Sequence, residues 1–150
     1  MSAANSGAGG LGGGGHVDYT YKDTGTGGLS GAYSIWGFAE QGFFGAQGTI
    51  GICTNAVSGC SDSNSAIEFS NVVANDAQWH QYYAAWRQGS SAVESCFMTD
   101  DTDPADCSWN ASQFPLGTEF DAILLTGFNS RHDLGDSLYF DDLESEPNPQ

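Results

Sequence analysis

Apolar residues in this chain recur at every second position, in short runs cut by glycine, asparagine, aspartate, serine and proline. The run "HVDYTYKD" sets Val17, Tyr19 and Tyr21 against His16, Asp18, Thr20 and Lys22. That period matches an extended strand, whose successive side chains point to opposite faces. Similar runs cover residues 31–41, 48–55, 65–74, 78–88, 92–99, 119–128 and 137–144, each bounded by turn-forming clusters. Apart from the ambiguous "YYAAW", no window of about 11 residues shows the i, i+3, i+4, i+7 spacing of a helix without glycine or β-branched interruption. Eight strands at this spacing, with 21 glycines to supply turns and bulges, predict an all-β fold. The expected architecture is an antiparallel jelly-roll β-sandwich of about eight strands, with a closed barrel as the alternative.

Charge narrows the partners. Nineteen acidic residues face only Lys22, Arg87 and Arg131, a formal net charge of -16. Nucleic acid is excluded as a partner, because phosphate recognition requires a basic surface that displaces counterions. No apolar run approaches the roughly 20 residues that span a bilayer, so membrane insertion is not expected. Cations, neutral glycans and basic proteins remain.

Residues 1–15 are Gly, Ala, Ser and Asn with one Leu after the initial Met, a composition that reads as a flexible leader. Residues 146–150 read as a linker-like tail, which leaves 16–145 as one β-sandwich domain. The leader lacks the charged start and apolar stretch of a signal peptide. The cysteines nevertheless point to an oxidising, extracellular setting. Cys53 and Cys60 bracket one short loop and Cys96 and Cys107 another. Four cysteines allow three pairings, of which two local bridges are the simplest, and the spacing lacks the tight pairs of a zinc site.

The stretch "DAQWHQYYAAWRQGS" carries the most chemistry. Its faces are Trp79, Gln81, Tyr83, Ala85 and Arg87 against His80, Tyr82, Ala84 and Trp86. The second set is the more apolar and is assigned to the core. Gln81, Tyr83 and Arg87 then share the other face, a planar amide, an aromatic ring and a guanidinium suited to stacking on a sugar and bonding its hydroxyls or carboxylate. Trp36, and Trp109 beside the second cysteine loop, are further candidates for ligand contact.

The pattern "QWHQYYAAWRQGSS", a further strand, and then "LGTEFDAILLTGFNSRHDLGDSLYFDDLE" resembles the end of a concanavalin A-like (laminin G-like) jelly-roll domain. The resemblance covers roughly Gln78 to Glu144. It departs from the family at "WRQG", where an acidic turn residue is usual, and at "TDDTDPADCSWNAS", which has no counterpart. The resemblance implies a carbohydrate-associated β-sandwich, a class that includes binding modules, polysaccharide lyases and glycoside hydrolases. The E-x-D-x-E run expected of a retaining hydrolase is absent from the sequence. A lyase would draw on His80, Gln81, Tyr83 and Arg87, but a chain of this charge repels a polyanionic substrate. The expected function is therefore a secreted, non-catalytic module that binds a polysaccharide or oligosaccharide on a concave sheet face. A glycan-cleaving lyase is the alternative. A filament or adhesin subunit, self-assembling as its leader pairs with a neighbour's open strand edge, is a third reading.

The last strand poses a geometric problem. In "SLYFDDLE", Leu138, Phe140 and Asp142 fall on one face and Tyr139, Asp141 and Leu143 on the other, so strict alternation carries one carboxylate inward. Burial on the Phe140 side makes Asp142 that residue, and a buried carboxylate demands a cation or several donors. The expectation is a structural calcium at Asp142 or Asp141, with Asp18 or Asp23 of the first strand as partners, in line with the resemblance. Asp100, Asp101, Asp103 and Asp106 form a weaker second candidate, lacking the glycine and distal glutamate of an EF-hand loop.

Overall fold

The computed structural model describes residues 2–4, 15–22, 28–39, 47–54, 66–70, 72–74, 76–129 and 137–146. They form ten strands: β1 (Ser2–Ala4), β2 (Gly15–Lys22), β3 (Gly31–Ala39), β4 (Gln47–Thr54), β5 (Ala66–Phe69), β6 (Trp79–Gln88), β7 (Val93–Thr99), β8 (Asn110–Ala111), β9 (Phe120–Asn129) and β10 (Ser137–Glu146). A single 3-10 turn, Pro104–Asp106, lies between β7 and β8, and no α-helix occurs among the described residues. The strands make two antiparallel sheets, ordered β1-β10-β3-β6-β7-β8 and β2-β9-β4-β5. The protein is an all-β sandwich.

All eight runs anticipated from the period-two pattern are strands. The two additional ones are short: β8 has two residues, and β1 pairs Ser2, Ala3 and Ala4 with Tyr139, Leu138 and Ser137 of β10. Ser2–Ala4, inside the segment expected as a leader, add a strand to the six-stranded sheet, and residues 5–14 lie outside the described residues.

Alternation decides what the sheets enclose. Tyr33, Ile35 and Ala39 of β3, Tyr82, Ala84 and Trp86 of β6, and Phe140 of β10 face Ile50 and Ile52 of β4 and Phe120, Ile123 and Leu125 of β9 in one core. Removal of such side chains from water is the main force holding the sheets together. Trp86 is the largest of them: it stacks on Tyr33 at 5.4 Å, and its Nε1 donates to the Gly28 carbonyl at 2.9 Å. Gly31 lies opposite Trp86 in the ladder, and a Cβ there would come within 2.5 Å of the indole Cη2. Only glycine lets the indole lie flat across β3.

The last strand resolves its carboxylate problem with a bulge. Asp141 pairs with Trp36 and Glu144 with Ser34, so two residues of β10, Asp142 and Leu143, oppose Ile35 alone. An extra residue resets the alternation. Phe140 enters the core and Leu143 packs against it, while Asp142 turns outward at φ 47° and is exposed. Asp tolerates this left-handed conformation better than most residues. The expectation that Asp142 points inward is thereby corrected.

Candidate functional site

The outer face of the six-stranded sheet follows from the ladder, because directly paired residues share a face. Its first row is Tyr139, Phe38 and Trp79 on β10, β3 and β6; its second is Asp141, Trp36 and Gln81; its third is Glu144, Ser34, Tyr83 and Met98 of β7. The first row is a continuous aromatic strip, with Phe38 centred 5.4 Å from Trp79 and 6.0 Å from Tyr139. Trp79 is 47% exposed and Trp36 36%, among the most exposed large apolar side chains of the described residues. With strands about 4.8 Å apart and same-face neighbours about 7 Å apart along a strand, these four side chains span an area roughly 10 Å by 7 Å, their rings tilted by 41° between Phe38 and Trp79 and 59° between Phe38 and Tyr139.

The other half of the same face is covered. Beyond β7 the chain folds back over β6, and the Cys96–Cys107 disulfide, with Cα atoms 5.7 Å apart, fixes it there. Ala32, Tyr83, Ala85 and Cys96 form a buried cluster beneath Met98, Cys107 and Trp109. Cys53 is also disulfide-bonded and buried, whereas Cys60, its expected partner, lies outside the described residues.

This cover changes the expected sugar-binding trio. Gln81, Tyr83 and Arg87 do share one face, but Tyr83 is only 1% exposed, so its ring is an interior packing surface and offers no platform to a sugar. Arg87 is engaged at the far end: Nε and Nη2 donate to Glu94 Oε2 at 2.9 and 2.8 Å, and its guanidinium stacks on Trp109 at 4.2 Å from the ring centre. Trp109 is half-buried in that stack. Of the five candidates, Trp36 and Gln81 stand on the open half beside the strip. Trp79, Phe38 and Tyr139 were not singled out, although the signal was available: Trp79 alternates onto the face of Gln81, and Phe38 onto that of Trp36.

Next to Trp79 in β6, but alternating onto the opposite face of the sheet, His80 is held between two carboxylates from different segments. Its Nδ1 lies 2.7 Å from Asp100 Oδ2 and its Nε2 3.0 Å from Asp76 Oδ2. Asp100 also accepts the Gln81 N–H at 3.0 Å and returns its own N–H to the Gln81 carbonyl at 2.7 Å. Hydrogen bonds donated to Asp100 and then to Asp76 raise the His80 pKa above its ordinary value, and accepting from His80 lowers that of each carboxylate. The imidazolium form, donating from both nitrogens, fits this geometry.

Among the described residues, no group of three or more His, Cys, Asp or Glu side chains is arranged to hold a metal ion. Asp141 and Asp142 are both exposed. Asp23 and the Asp18 side chain lie outside what is described. In the acidic loop, Asp101 accepts the Asp103 N–H and Asp103 caps the 3-10 turn by accepting the Ala105 N–H, each at 2.9 Å. These carboxylates serve the loop's own backbone.

Neither a protein-family model nor a curated protein matches the chain. Function is accordingly read from the site geometry.

Proposed function

We propose that this chain is a carbohydrate-binding β-sandwich module whose ligand lies on the open half of the six-stranded sheet's outer face. The observation that carries the reading is the strip of exposed Trp79 with half-buried Phe38 and Tyr139, and exposed Trp36 beside it. A solvent-facing aromatic ring can offer its face to the C–H face of a pyranose, and Gln81, paired with Trp36, supplies a planar hydrogen-bonding group. The rings are held by ladder pairing, so little side-chain entropy is lost on binding. The disulfides accord with a secreted protein.

Two features weigh against a lyase. The guanidinium that would neutralise a substrate carboxylate is engaged by Glu94 and Trp109, and both nitrogens of His80 face carboxylates. The pairing of Ser2–Ala4 with β10 of the same chain weighs against the filament reading.

The test is retention on a panel of immobilised neutral polysaccharides. Trp79→Ala and Trp36→Ala should each weaken binding about tenfold, the value of one lost stacking contact of about 1.4 kcal/mol. Tyr83→Phe should leave binding unchanged. Failure of the native chain to bind any glycan, or binding indifferent to both tryptophans, overturns the proposal.

A further inference from the structure

We infer that this face, taken as the glycan-binding surface proposed above, is selective for a cationic glycan: an oligosaccharide of hexosamines whose amino groups are free and protonated. The selectivity follows from what borders the rings. Asp141 pairs directly with Trp36 across β10 and β3, and Glu144 pairs with Ser34 in the next row. Asp142 stands exposed at the bulge between them. All three are exposed, and the Asp142 N–H donates to Asp141 Oδ1 at 3.0 Å, which ties that carboxylate to the bulge.

Among the described residues no Lys or Arg lies in the three rows of this face: Lys22 belongs to β2 of the other sheet, and the exposed Arg87 pairs with Glu94 and stacks on Trp109 at the covered end. Among the described residues, the charged side chains beside the aromatic rings of the open half are therefore all carboxylates.

A pyranose stacked on Trp36 directs its ring substituents outward at the height of neighbouring side chains. Paired residues on adjacent strands have Cβ atoms about 5 Å apart, so a substituent on the β10 side comes within reach of Asp141. An ammonium there gains attraction from the indole face and from the carboxylate together. An N-acetyl group gains neither, and a uronic acid is repelled. Small surface contributions of this kind combine to a preference of about tenfold for the free amine.

The experiment compares three tetramers of like length, one of glucosamine, one of N-acetylglucosamine and one of a uronic acid, titrated calorimetrically in about 0.15 M salt at pH about 5.5. Amines are protonated and carboxylates ionised under these conditions. The expected order is amine, then acetylated sugar at about tenfold weaker affinity, with no uronate binding. The double variant Asp141→Asn, Glu144→Gln should remove the preference while retaining the affinity for the acetylated tetramer. Glu68→Gln, Glu119→Gln makes the same charge change at exposed positions on other elements and should leave the preference intact.

Equal loss in both double variants would assign the preference to bulk attraction by an acidic protein and overturn the inference. So would binding of the acetylated tetramer as tightly as the amine, although in that case the glycan-binding reading itself stands. Absence of binding to all three tetramers and to the neutral panel removes both.

Discussion

His80 and its two carboxylate partners make the stability of the fold depend on pH. The raised pKa of His80 means that its contribution to stability is complete below the ordinary histidine value of 6.5 and is lost as pH rises through the higher folded value. The lowered pKa values of Asp76 and Asp100 act oppositely, contributing above the ordinary carboxylate value of 3.8 and failing as pH falls through their folded values. The clamp is thus complete between those limits. His80→Gln should lower the melting temperature most between pH about 4 and 6.5, and the gap to the native chain should close towards pH 9. A gap independent of pH would show that the imidazolium plays no part.

The element with the largest effect on the site is the covering segment between β7 and β8. Its disulfide closes a loop of 11 residues' separation, and losing such a constraint costs roughly 3 kcal/mol in the loop-entropy description. Cys96→Ser with Cys107→Ser should destabilise the fold by about that amount and increase acrylamide quenching of Trp109 as the cover loosens. Unchanged quenching would show that packing alone holds it. What the sequence made legible follows the reach of the signals involved. Alternation within β6 correctly sent Tyr82, Ala84 and Trp86 inward, because a strand's two faces are a local property. Tyr83 could not be read in the same way: its burial depends on Cys107 and Trp109, which a fold-back brings over it from another element. Asp142 was misplaced because alternation assumes an unbroken register, and the bulge opposite Ile35 shifts it by one residue. The aromatic strip was half legible, since each ring's face could be assigned but the adjacency of β10, β3 and β6 belongs to the topology.

For the molecule as a whole, the net charge of -16 is a stability term as well as a filter on partners. Like charges repel most in the compact state, and salt screens them over a Debye length of about 10 Å at 0.1 M. Raising sodium chloride from about 0.02 to 0.5 M should raise the melting temperature, at about 4 °C per kcal/mol of repulsion relieved. A fall would mean that attractive pairs such as Arg87–Glu94 outweigh the repulsion. The six-stranded sheet ends on strands of three and two residues, β1 and β8, too short to template pairing with another chain. That matters for a protein that shows aromatic rings to solvent. The covering segment has one more consequence. It conceals part of a sheet face while adding only two residues to the ladder, so its length sets where the concealed area stops. Insertions or deletions there would change how much of the sheet face stays open, from a short patch to a long track, with the main core between the sheets and the strand register untouched. The scaffold therefore separates the extent of its open face from the packing and pairing that hold it folded.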